Sequence, residues 1–177
     1  MLTGGFALGN FCRAHVPGRH MISKGVIPIS LWLICGMFSP LPAQNATAVS
    51  PLRFGNIYPG IPKKVTKYDA GGAAEFLVSG VAGDEISIEF TLPTYMSFGP
   101  HHMQLVFGET DCAMDSSATP DQSNPGVDNL DPWHPITYRL GSGGLTIWLG
   151  GTVIPGLVQT PADYSATIVL TVIPTGN

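Results

Sequence analysis

The stretch "AAEFLVSGVAGDEISIEFT" (residues 73–91) decides the fold class. Its second half alternates: Ile86, Ile88 and Phe90 share one face, while Glu85, Ser87 and Glu89 share the other. A period of two with one apolar face is the pattern of a half-buried antiparallel strand. The first half behaves the same way, with Phe76 and Val78 opposed to Glu75 and Ser79. Between them, "VAGD" is a short Gly-containing connection, which predicts a hairpin.

The pattern repeats outward. "LRFGNIYPGIP" (residues 52–62) opens with a short strand and ends in Pro-Gly turn chemistry. "HMQLVFG" (residues 102–108) predicts another strand. "ITYRLGSGGLTIWLGGTVI" (residues 136–154) predicts two or three, with Gly143-Gly144 and Gly150-Gly151 as turns or bulges. A closing strand is expected over residues 164–173, with Tyr164, Ala166, Ile168, Leu170 and Val172 on one face. It is expected to fold back antiparallel onto the strand ending near Ile154. No stretch after residue 43 has a helical period. Gly (22) and Pro (16) exceed a fifth of the 177 residues, against about 12 % in average proteins, so many turns are expected. These features predict an all-β domain: an immunoglobulin-like antiparallel β-sandwich of about seven or eight strands spanning residues 44–177.

Residues 1–43 read as a leader. From Met21, Lys24 precedes an apolar stretch (residues 26–38) interrupted by Pro28, and "SPLPA" follows. That is the order of a secretory signal peptide, with Met21 as the true start and cleavage after Ala43. A transmembrane anchor would need about 20 uninterrupted apolar residues, so no membrane span is expected after cleavage. The expected location is the periplasm, the cell surface or the extracellular space. Of Cys12, Cys35 and Cys112, only Cys112 survives cleavage, so no internal disulfide can form. Cys112 is then a plain thiol or a link to another chain. All 12 acidic residues lie after Gln44, against Arg53, Lys63, Lys64, Lys67 and Arg139. Such an acidic domain repels phosphate backbones, which excludes nucleic acid as the expected partner.

Four motifs in order carry a resemblance: "LRFGNIYPG", "GGAAEFLVSGVAGDEISIEFTLP", "GGLTIWLGGTVIPG" and "PADYSATIVLTVIP". Across residues 52–174 the chain resembles the bacterial secreted family described as domain of unknown function 4402. That family is similar to spore-coat-U and archaic chaperone–usher pilin subunits. The resemblance implies an exported β-sandwich with a structural or adhesive role at the cell surface, in the manner of a fimbrial subunit. Its implied partners are copies of itself or other surface subunits, and it carries over no catalytic residue. Pilin-type relatives often hold a disulfide and bear an alternating N-terminal donor strand. This chain has one cysteine after residue 43. Its "NATAVSPL" places only Ala46, Ala48 and Leu52 on one face, with Pro51 interrupting.

No residue set dictates a reaction, and no cofactor is expected. Adjacent His101 and His102 would point to opposite faces of a strand and cannot share a metal. "GSGG" at residues 141–144 is not a nucleophile elbow. The unusual segment is "GETDCAMDSSATPDQSNPGVDNLDPWHP" (residues 108–135), which lacks periodicity and exceeds ordinary loop length. Its Asp111, Asp115, Asp121, Asp128 and Asp131 read as a solvated acidic loop. The alternative is a surface that binds carbohydrate or protein, with calcium held by carboxylate oxygens, although the spacing is not that of an EF-hand. Trp133 is either a binding aromatic or a cap on the sandwich.

Overall fold

The computed structural model describes residues 44–176; the predicted leader, 1–43, lies outside them. Twelve strands and no helix occur among the described residues. They form three antiparallel sheets. The first has the order β1 (Asn45–Ser50), β3 (Ala74–Ser79), β10 (Leu145–Leu149), β7 (Cys112–Asp115), β8 (Val127–Leu130). The second is β2 (Lys63–Val65), β11 (Gly151–Ile154), β6 (His101–Val106), β5 (Tyr95–Phe98). The third is β12 (Val169–Pro174), β4 (Glu85–Thr91), β9 (Ile136–Arg139).

One hydrophobic cluster joins all three, which makes the arrangement a β-sandwich. Phe76, Val78, Met114, Ile147 and Leu149 come from the first sheet. Val65, Met103, Leu105 and Val153 come from the second, and Ile86 and Ile88 from the third. The alternation in β4 is as read: Ile86 and Ile88 are fully buried, while Glu89 is exposed.

The connection between β3 and β4 is not a hairpin. The two strands belong to different sheets, and Phe76 and Phe90 meet edge-on across the core at 5.9 Å. β3 is paired by β1 and β10, and β4 by β12 and β9, so neither has an edge left for the other. "VAGD" crosses between layers instead. It is held there by Gly83 N–H donating to the Leu140 carbonyl (2.8 Å) and Leu140 N–H donating to the Asp84 carbonyl (2.9 Å).

The expected seven or eight strands become twelve because β1, β2, β5, β7 and β8 are too short or too polar to show an alternation, whereas the division at Gly150 is as expected. β10 lies in the first sheet and β11 in the second, and the chain turns the corner at Gly150. A Cβ on Gly150 would come within 2.6 Å of the Val65 carbonyl oxygen, so only glycine permits this approach.

The closing segment also divides its pairing. Ser165 bridges Ser97 with N–H···O distances of 2.9 and 3.2 Å, and β12 then runs antiparallel to β4. Its partner is therefore β4, not the strand ending at Ile154. That strand, β11, is already flanked by β2 and β6. Tyr164, Ile168, Leu170 and Val172 pack on the core as the alternation predicts, while Ala166 stays exposed.

Candidate functional site

The 108–135 segment is a solvated loop only in part: residues 117–121 are exposed, but two strands flank them. Its first part forms β7, whose four residues are all buried in the middle of the five-stranded sheet, and its later part forms β8 on that sheet's edge. The apolar residues of β7 number three, too few to show a period, which is why the sequence pattern conceals a central strand.

Each of the five aspartates builds local structure. Asp111 is buried; its Oδ2 accepts from Gly108 N–H (2.8 Å) and its Oδ1 pairs with Lys64 at 3.0 Å. Asp115 is also buried and accepts from the N–H groups of Ser117 (2.8 Å) and Asp121 (3.0 Å). Asp121 accepts from Ser123 N–H (2.9 Å), and Asp131 from Trp133 N–H (2.9 Å) and His134 (2.6 Å). These are side-chain-to-backbone turns, the usual service of aspartate at φ/ψ corners. No group of three or more metal-ligating side chains gathers among the described residues.

The carboxylates are tuned by these contacts. Burial pushes Asp115 up, but the Ser117 and Asp121 N–H groups and the Ser117 hydroxyl more than offset it. The result lies below the ordinary 3.8. Burial also raises Asp128, and hydrogen bonds from Lys67 and Tyr68 bring it below the same value. Carboxyls lowered in the folded state bind fewer protons there than in the unfolded chain. They stabilise fully above the ordinary carboxylate range, and the contribution is lost as pH falls through their folded values. Asp115→Ala is expected to lose about 2–3 kcal/mol, the worth of charge-assisted bonds from two part-buried backbone N–H groups. Urea melts between pH 6 and pH 2 check this, because the variant should lose less stability on acidification than the parent.

Cys112 is fully buried on β7, and desolvation pushes its thiol up to about 12 despite nearby Lys67. A buried, protonated thiol does not present itself to another chain. Trp133 divides its role: its indole N–H donates to the Phe107 carbonyl (2.9 Å) and its ring meets Phe107 edge-on, yet 47 % of it is exposed. His101 and His102 lie in β6 and both are exposed. His102 Nδ1 is 3.0 Å from the Ser97 hydroxyl, and His101 Nδ1 is 3.4 Å from that of Thr160.

Two features went unread in the sequence. The first is Lys67, buried just beyond β2, whose ammonium donates to the Thr110 carbonyl (2.7 Å) and Asn129 Oδ1 (3.0 Å) and pairs with Asp128. Alternation carries no sign of it, because Lys67 lies in the turn after β2. The second is a cleft of about 770 Å³ between the 52–59 and 155–164 segments. Phe54, Met96 and Met103 give it an apolar lining, and Tyr58, two-thirds exposed, stands with Asn56 and Asp163 around it. Its second wall is pinned by the Gln159 amide donating to the Tyr164 hydroxyl (2.6 Å), which donates in turn to the Thr160 carbonyl (3.0 Å).

No protein-family model matches this chain, and no curated protein matches it.

Proposed function

We propose that this is an exported, non-enzymatic structural protein of the cell surface, an immunoglobulin-like module that assembles with copies of itself or with other surface subunits in a fimbria-like manner. One observation carries the reading: the first strand, β1, is an edge strand that covers β3 without burying a side chain. Five of its six residues are exposed and the sixth is half-buried. Ala46 and Ala48 stand opposite the buried Val78 and Phe76, so they share the inward face, yet both remain exposed. This rim of the sandwich presents only small inward side chains. A strand from another chain with larger residues at those positions would bury more surface while keeping the same backbone ladder, which is how strand addition gains affinity. The engagement of all five aspartates in turns and ion pairs supports a non-catalytic role for the 108–135 segment.

Removing residues 44–50 is expected to leave a folded domain, weaker by about 1–3 kcal/mol from the lost ladder. A synthetic peptide of those residues should then bind it and restore the lost melting temperature. A truncated protein that unfolds outright, or that ignores the peptide, would contradict the exchangeable edge.

The cleft favours a second reading, a secreted module that binds carbohydrate. Its volume lies within the range of small-ligand sites, and it joins an exposed aromatic face to polar groups. Calorimetric titration of soluble oligosaccharides tests it. Affinity that is lost in Tyr58→Ala supports this reading, and heats no larger than dilution oppose it.

A further inference from the structure

Lys67 and Asn129 sit on the edges of two different sheets, and their side chains meet. Lys67 follows β2, and its side chain is only 5 % exposed; Asn129 lies in β8. The Lys67 nitrogen is 3.0 Å from Asn129 Oδ1. Asp128 connects the two groups chemically. Its Oδ1 pairs with Lys67 Nζ, and its Oδ2 accepts from Asn129 Nδ2 at 3.2 Å and from the Tyr68 hydroxyl. One carboxylate thus touches both an amine and the nitrogen of a primary amide. Asn129 is also the one non-glycine residue with positive φ (56°) among the described residues. Asparagine tolerates that region better than most residues, and here the conformation holds the amide against the lysine.

We propose that Lys67 and Asn129 are joined by an intramolecular isopeptide bond, formed by the folded chain itself with Asp128 as the proton carrier. The proton passes from the Lys67 ammonium to Asp128 Oδ1 as Nζ closes on Asn129, so no free carboxylic acid and amine pair has to accumulate beforehand. Nζ attacks Asn129 Cγ, forming the new N–C bond and a tetrahedral centre. As that centre collapses, the Cγ–Nδ2 bond breaks. The departing nitrogen gains two protons that began on Nζ, passed through the carboxylate, and it leaves as ammonium. The sum is one ammonium side chain and one primary amide converted to one secondary amide and one ammonium ion. Charge and hydrogen balance, and neither an oxidant nor water takes part. Each role is ordinary chemistry: a lysine nucleophile released by an adjacent base, and reacting groups held together by the fold.

The bond would close a span of 62 residues and tie the edge of the four-stranded sheet to that of the five-stranded one. Cross-links over long spans stabilise by restricting the unfolded chain. In a domain whose single described cysteine is free and buried, this cross-link would do what a disulfide does elsewhere.

Intact-mass measurement and peptide mapping of protein purified natively from cells expressing the full chain test the proposal. The expected result is a domain lighter than its sequence by one ammonia, together with a branched digest fragment joining the Lys67 and Asn129 peptides. Both should vanish in Asp128→Ala and in Asn129→Ala. An N-terminal Gln44 can cyclise with the same mass loss, so the branched fragment decides. Separate, unmodified Lys67 and Asn129 peptides from the wild-type protein would overturn the proposal whether or not the variants fold. Loss of water with the branch at Asp128 would overturn it equally.

Discussion

Replacing Ile88 with aspartate is expected to unfold the domain, whereas Glu89→Ala should shift its stability by no more than about 0.5 kcal/mol. Ile88 is fully buried at the centre of the three-stranded sheet, opposite Val172 on one side and Ile136 on the other. A carboxylate there would be enclosed by the apolar side chains of the core. It must be protonated or expel the strand, and either costs several kcal/mol. Stability in a domain of this size is about 5–15 kcal/mol, so one such substitution consumes most of it. Glu89 stands one residue away, opposite Thr171 and facing solvent. Urea denaturation of the two variants decides. Similar midpoints would mean that the register of β4 is one residue out and that every side chain of the strand is on the wrong face.

The second large effect concerns the closing strand. Deleting the chain from Tyr164 onward is expected to abolish cooperative folding. β12 pairs with β4 over six positions, from Val169 opposite Thr91 to Pro174 opposite Ile86. The deletion removes Tyr164, Ile168, Leu170 and Val172 from the core and leaves Ile86 and Ile88 beside an open edge. At about 1.5–3 kcal/mol for each fully buried large side chain, these half-buried ones amount to about 3–6 kcal/mol. The Ser97–Ser165 bridge goes with them. Circular dichroism and light scattering of the truncated protein should find aggregated or unfolded chain. A soluble, cooperatively melting monomer would contradict the assignment. The contrast with β1 is that both are edge strands, but β12 and the segment leading into it pack four side chains on the core, two of them (Leu170 and Val172) from the strand itself, and β1 packs none.

Fold class was legible because alternation reports burial directly. "EISIEFT" and residues 164–173 show which side of each strand is apolar, and the structure places those sides inward, Ala166 excepted. Pairing partners were not legible. A strand pattern says that one face is covered without saying which neighbour covers it. "VAGD" therefore read as a hairpin, and β12 as the partner of β11. Both misreadings fail on the same ground, because the presumed neighbours already carry two strands each. The aspartates of 108–135 were visible as residues but not in their roles. An acidic side chain that turns back to bind its own backbone looks, in sequence, like one that faces water. Lys67 was hidden more deeply, since its partners Asp128 and Asn129 lie about sixty residues away and only the third dimension brings them together.

The central functional claim is that the edge beside β3 is a site of assembly. Sedimentation velocity of the purified chain over a wide concentration range tests it most directly. The account predicts a ladder of discrete oligomers that collapses to monomer when excess peptide of residues 44–50 is added. A single monomeric species at every concentration, indifferent to the peptide, would contradict it.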